Sequence, residues 1–265
     1  MADENVSGRL GHLTEEEEAT LFLFKHELEQ EGFFSAEKHD DHTLLRFLRA
    51  RKFQVPAAKK MWIDCENWRK EYGVHTILED FDFPEYPMAR QYYPRFYHKT
   101  DKLGRPIYIE RLGVLDVKKL FTITTDTRML KNHPSLTFSS VYTLVREVSG
   151  IAQNYYPEML GKMYIINAPM LFTVVWNMVK PMLDEVTVKK INILGSSYKS
   201  TLLETIDAES LPDFMGGSCQ CPGGCAHADI GPWNDGSIPD YPKPEYEKFI
   251  TTYGSTPSTA QEGSN

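Results

Sequence analysis

The chain has 265 residues, enough for one large domain or a small domain joined to a larger one. Its 41% hydrophobic and 25% charged residues exclude the fibrous and disordered classes. A net charge of −8, from 37 acidic against 29 basic side chains, excludes a broad nucleic-acid surface, which needs a basic field, so any anion site must be local. Four cysteines, Cys65 and the crowded Cys219, Cys221 and Cys225, do not make the spread framework that staples secreted domains, and a reducing cytosol fits them better.

The opening segment has no basic start followed by an apolar core and a small-residue cleavage site, so no export is expected. Thr14 followed by Glu17 is a capping-box pattern, and Leu21, Phe24 and Leu28 recur at helical spacing until Gly32. Asp41 is expected to cap a second, short helix carrying Leu44, Leu45 and Leu48, made basic by Arg46, Arg49, Arg51 and Lys52. Pro56 suits the first turn of a third helix, where Ala58, Met61, Trp62, Cys65, Trp68 and Tyr72 form one apolar stripe ended by Gly73. Cys65 on that stripe reads as a small core residue rather than a nucleophile. Residues 1–80 therefore read as an all-helical N-terminal lobe.

Arg95 to Thr100 and Pro106 to Leu112, rich in aromatic and β-branched residues, flank the turn Asp101-Lys102-Leu103-Gly104 and predict a hairpin. Phe138, Val141, Val145, Val148, Ala152 and Tyr155 share one face of a helix that Pro157 limits. Met163 to Asn167 and Ile191 to Leu194 are short apolar runs of the kind found in buried strands, and the alternation with helices predicts an α/β fold with a mixed sheet. Between them, Met170 to Leu183 is apolar on nearly every side of a helix, yet Asn177, Lys180 and Pro181 break it and it falls short of the roughly 20 residues that span a bilayer. Periodicity fits both a helix buried in the core and a lid that faces acyl chains when closed and a membrane when open. Residues 236–265, rich in Pro, Gly, Ser and Thr, read as a partly disordered tail.

No phosphate-binding glycine loop is present, and Gly195-Ser196-Ser197-Tyr198-Lys199 is not a nucleophile elbow, so no enzyme is expected. Cys219, Cys221, Cys225 and His227 place four soft ligands in a short loop, but the spacing is poor for zinc and Pro222-Gly223-Gly224 suits an ordinary surface loop. They are weak metal candidates and no metal is expected.

The runs LLRFLRARKF (Leu44 to Phe53), FYHKTDKLGRPIYIE (Phe96 to Glu110), QNYYPE (Gln153 to Glu158), KMYIINAP (Lys162 to Pro169), DEVTVKKINILGSSY (Asp184 to Tyr198), LPDFMGG (Leu211 to Gly217) and DIGPW (Asp229 to Trp233) follow one another in order. Together they resemble the CRAL-TRIO lipid-binding family, in particular its fungal phosphatidylinositol/phosphatidylcholine transfer proteins. The resemblance implies a helical lobe to residue 80, then a lipid-binding domain over 81–235 whose mixed sheet is flanked by helices. It also implies a hydrophobic gate helix at Met170 to Leu183, with Phe172, Val175, Trp176 and Val179 on it.

A carrier must shield two acyl chains, and at about 0.8 kcal/mol per buried CH₂ a long pair amounts to over roughly 20 kcal/mol, which only a sealed apolar cavity offsets. The resemblance places Lys190, Thr187, Glu158, Arg51 and Asp101 on the inositol-headgroup side, and Tyr97 and Tyr108 on the choline side. It implies a monomeric, non-catalytic exchanger of phosphatidylinositol and phosphatidylcholine, with bound phospholipid as ligand, no cofactor and no nucleic acid. Such a protein is cytoplasmic and meets Golgi and endosomal membranes transiently and peripherally.

Two departures stand out. Met159 occupies the position where the family has an arginine after the YYPE glutamate. Met129-Leu130-Lys131-Asn132 runs straight into His133-Pro134-Ser135, where the family continues into a helix and a strand bearing the hydroxyls that hold the phosphatidylcholine phosphate. A skipped exon or a faulty gene model would produce such a join, and the sheet is expected to be one strand short. Two other classes stay open: a truncated non-carrier that binds membranes or partners through its exposed gate helix, and a metal-binding module at Cys219 to Cys225.

Overall fold

Helix α1 (Glu15–Gln30) starts at a complete capping box: the Thr14 amide donates to Glu17 Oε2 at 2.9 Å and the Glu17 amide to Thr14 Oγ1 at 3.2 Å. The computed structural model describes residues 7–77, 82, 84–123, 149–170 and 172–238. These fall into two units, one of residues 7–75, 149–163 and 172–192 and one of the remainder.

In the first unit, α2 (Asp41–Ala50) is capped by Asp40, one residue before the expected Asp41. The Asp40 carboxylate accepts the Thr43 amide at 2.8 Å, and hydrogen bonding with Thr43, through its side chain first and this amide second, holds it below the usual carboxylate range. Asp41 instead pairs with Lys25 of α1 at 3.0 Å. Helix α3 (Val55–Tyr72) has its proline in the first turn and ends at Gly73, whose φ of 74° only glycine adopts without strain. The three helices bury Phe24 and Leu28, Leu44, Leu45 and Leu48, and Ala58, Trp62 and Cys65 in one core. Each fully buried large side chain contributes about 1.5–3 kcal/mol. Trp62 meets Phe24, Phe47 and His39 edge-on and donates its indole N–H to the Phe33 carbonyl at 2.8 Å. Residues 149–155 are helical and bring Tyr155 flat against Trp68, with ring centres 4.2 Å apart. Positions 138–148 of that expected helix lie outside the described residues.

The second unit holds the hairpin of β1 (Arg95–Thr100) and β2 (Pro106–Glu110), antiparallel with Tyr97 opposite Tyr108 and a register shift between Tyr97 and Thr100. Its turn docks on α8 (Lys199–Thr205), where the Lys102 amide and ammonium donate to the Thr205 and Leu203 carbonyls at 3.0 and 2.7 Å and so satisfy helix-end acceptors. Leu202, Ile206 and Leu211 form a core there, with Ile107, Tyr164 and Ile166 packed against it. A smaller core joins Ala89 of α4 (Tyr86–Tyr92) to Leu120 of α5 (Val117–Ile123).

The chain also has helices α6 (Phe172–Val179) and α7 (Glu185–Lys190), and strands β3 (Met163–Ile165) and β4 (Ile191–Ile193), which pair with each other. The sequence predicts one mixed sheet; among the described residues there are two separate two-stranded ladders. The expected strand ending at Asn167 stops early because Asn167 takes a φ of 53°, which turns the chain out of extended geometry. Among the described residues no helix is long and apolar enough to cross a membrane.

Candidate functional site

In the first unit, helix α7 carries both of its expected headgroup residues and is locked at its start. The Asp184 carboxylate accepts the Thr187 amide at 2.8 Å, its own amide donates to Gln153 Oε1 at 3.1 Å, and Gln153 Nε2 donates to the Met182 carbonyl at 3.0 Å. Thr187 and Lys190, three residues apart, share a half-buried side of the helix, whereas Lys189 is exposed. Lys190 Nζ lies 3.3 Å from Glu158 Oε2, with each side chain 20% exposed. Glu158 is held in the left-handed region at φ 56°, just after Pro157, whose carbonyl accepts Arg46 Nε at 2.9 Å.

This brings together three of the five expected headgroup residues. Arg51 only caps α2, donating to the Ala50 carbonyl at 3.0 Å. The cations that face the Glu158 segment are instead Arg46 and Arg49, which sit three residues apart on α2. Burial pulls both below the ordinary guanidinium value, and the Glu158 charge opposes that shift at Arg49. Their shared helix face was the signal in the sequence. Asp101 belongs to the second unit, where its carboxylate is consumed by the hairpin turn: it accepts the Leu103 and Arg105 amides at 2.9 Å each and pairs with Arg105 at 2.7 Å. An aspartate opening a tight turn bonds its own backbone in this way.

On the hairpin, the Tyr97 and Tyr108 rings lie 5.1 Å apart and both are half exposed. Trp233 adds a third ring, edge-on to Tyr97 at 5.7 Å, its indole N–H donating to Asp229 Oδ1 at 3.1 Å. A side chain at Gly231 would collide with that indole, so the glycine of DIGPW is what admits it. The Tyr108 hydroxyl donates to Glu110 Oε1 at 2.8 Å; burial first, then this bond, push the phenol far above its ordinary value, so it stays neutral. Aromatic faces beside a carboxylate are what a quaternary ammonium seeks. Trp233 and Glu110 escaped the residue-by-residue reading, although both lie inside the matching runs.

The model named "CRAL/TRIO, N-terminal domain" matches residues 10–64 and the "CRAL/TRIO domain" model matches residues 121–217. The chain is 46% identical to the Sec14 cytosolic factor of Schizosaccharomyces pombe, over 86% of this chain and 91% of that one. This chain belongs to the CRAL-TRIO family. It is also 41% identical to the phosphatidylinositol/phosphatidylcholine transfer protein SFH9 of Arabidopsis thaliana, over 84% of this chain and 45% of that larger protein. The crystal structure of Sfh5 shares the fold, with a TM-score of 0.59 at 17% identity over 95% of this chain and 98% of that one.

Within this CRAL-TRIO chain the apolar helix is not a core element. No residue of α6 is buried: Phe172, Val175, Trp176 and Val179 are partly covered, while Val174 and Met178 are 54% and 42% exposed. The helix is also shorter than expected, giving way at Lys180–Met182 to a tighter turn that contains Pro181. Met159, where the CRAL-TRIO resemblance expects an arginine, is exposed. Cys219, Cys221 and Cys225 do converge, but on His98 of β1 rather than on His227.

Proposed function

We infer that this chain binds phospholipid and exchanges it between membranes without catalysis. The 46% identity with the Sec14 cytosolic factor over nearly the full length of both chains carries this reading, and the transfer activity in the SFH9 name gives it its lipid class. The Lys190–Glu158 pair supports an inositol-phosphate side. A phosphate that displaces Glu158 finds an ammonium on a locked helix with the Thr187 hydroxyl one turn away and the basic face of Arg46 and Arg49 beyond. Tyr97, Tyr108 and Trp233 support a choline side. Helix α6 serves as the gate, its covered face turned to acyl chains and its exposed face to the membrane.

The domain division goes with this reading: a helical lobe to residue 80, a lipid-binding domain over 81–235 and a tail from 236. The carrier is a cytosolic monomer that visits Golgi and endosomal membranes peripherally.

The internal gap has independent support. The Schizosaccharomyces pombe alignment runs over 263 positions yet takes in 86% of this chain's 265 residues, about 228, so about 35 positions lie opposite gaps in this chain. The join after Asn132 lies outside the described residues. A second reading, a non-carrier that binds membranes through α6, draws on the exposure of Val174 and Met178.

Transfer of labelled phosphatidylinositol between vesicles tests the assignment. The chain is expected to transfer it, and Lys190→Ala to lose about tenfold or more of that activity, since a charged hydrogen bond contributes about 1.5–3 kcal/mol. Vesicle binding without extraction would favour the second reading. No transfer even after the absent segment is restored would defeat the carrier.

A further inference from the structure

We infer that His98, Cys219, Cys221 and Cys225 form a structural zinc site that fastens the segment following α8 to strand β1. The ligand atoms all lie within 4.8 Å of one another, and the Cys219 and Cys221 sulfurs are 3.6 Å apart. A tetrahedral zinc with bonds of about 2.3 Å to sulfur has ligand edges of roughly 3.8 Å, so side-chain shifts of an ångström or less close the group on an ion. All three cysteines are free thiols.

His98 supplies the observation that the cysteines alone do not. It is 0% exposed, and among the described residues neither of its ring nitrogens has a hydrogen-bond partner. Buried polar atoms are almost always paired, and a metal bond is the partner this position offers. His98 also stands in the register shift of β1, beside Lys99 at φ 51°, and such a bulge re-aims a side chain out of the regular ladder.

The cysteine loop is built before any ion arrives. Cys219 donates its amide to the Leu211 carbonyl and accepts the Asp213 amide, both at 3.1 Å, and a side chain at Gly217 would collide with the Leu211 carbonyl. Gly223 and Gly224, at φ 75° and 89°, reverse the chain so that Cys225 returns to within 3.3 Å of the Cys219 carbonyl. Three soft sulfurs and one imidazole select zinc over magnesium or calcium, and four protein ligands leave no open position, which makes the site structural rather than catalytic. Its charge of −1 with three thiolates sits beside the Lys99 ammonium. Lys99 also donates its amide to the Ile230 carbonyl at 2.6 Å, so the ion reinforces the crossing that carries Trp233 to Tyr97.

The full chain, expressed with zinc and purified under reducing conditions without chelator, is expected to retain a single zinc ion per chain after gel filtration. Exchange with cobalt(II) should give the intense visible bands of tetrahedral coordination and a thiolate-to-cobalt charge-transfer band. His98→Ala and Cys221→Ser should lose the stoichiometric metal, and His227→Ala should keep it. Because the metal content and cobalt spectrum are read on the unaltered chain, a variant that fails to fold does not decide the matter. A zinc-free native chain, a weak octahedral cobalt spectrum, or undiminished zinc in a folded His98→Ala protein would each overturn the site.

Discussion

His39 lies between α1 and α2 and packs edge-on against Trp62 at 4.9 Å, its Nδ1 accepting the Ser35 amide at 3.1 Å. That bond requires an unprotonated nitrogen. Burial lowers the imidazole from its ordinary 6.5, although Glu66 at 3.6 Å pulls the other way. The folded chain therefore binds its proton later than the unfolded chain as pH falls, so the stability His39 contributes is complete above 6.5 and is lost below it. Asp40 and Asp184, held below 3.8, add their losses only at lower pH. The urea midpoint is expected to drop from about pH 7 to about pH 5.5, with a shallower slope in His39→Gln. A midpoint that holds steady or rises on acidification would contradict this. At this scale the sequence is legible where partners are close: Thr14 and Glu17 declare their capping box, and Asp40 for Asp41 is a one-residue miss within the same motif. It is silent about His98, because nothing local to FYHKTD announces three cysteines far down the chain.

The elements follow the same rule. Helices α1, α2 and α3 were legible because caps, periodicity and a terminal glycine all agree, whereas β3 and β4 are shorter than their apolar runs because tertiary pairing, not composition, sets strand length. Helix α6 was ambiguous for a physical reason: an apolar surface all round fits a core as well as a gate, and only exposure separates them. Its outward residues Val174 and Met178 sit four positions apart on one side, so charging both alters the exposed face and spares the covered one. Replacing both with glutamate is expected to cut binding to anionic vesicles by about tenfold or more, since each inserted side chain contributes about 1.5–3 kcal/mol. The thermal midpoint should stay within about 2 °C, because surface substitutions change stability by about 0.5 kcal/mol or less. A large fall in melting temperature with unchanged vesicle binding would return α6 to the core.

At the scale of the whole molecule, the order of the CRAL-TRIO runs was legible because each run is long, while the consequence of the join after Asn132 is not written in any one of them. Two-stranded ladders are marginal on their own, and β3 and β4 pair only with each other among the described residues. If the absent strand belongs beside them, its loss leaves unpaired edges and uncovered apolar lining, or forces neighbours into a register that turns their inward side chains outward. A void costs about 24 cal/mol per Å³, so even a modest gap approaches the 5–15 kcal/mol or so of net stability in a typical domain. The strand is also where the resemblance puts the hydroxyls for the phosphatidylcholine phosphate, and the proposed choline side of Tyr97, Tyr108 and Trp233 offers ring faces for the ammonium rather than that phosphate contact. The present chain should therefore load phosphatidylcholine weakly. Inserting a relative's helix and strand between Asn132 and Ser135 is expected to raise the melting temperature by about 2–4 °C for each kcal/mol regained and to restore choline-lipid loading. Lys190→Ala in the restored protein should then reduce phosphatidylinositol loading and leave choline loading intact. Equal melting and equal loading with and without the insert would mean that the remaining strands already close the pocket.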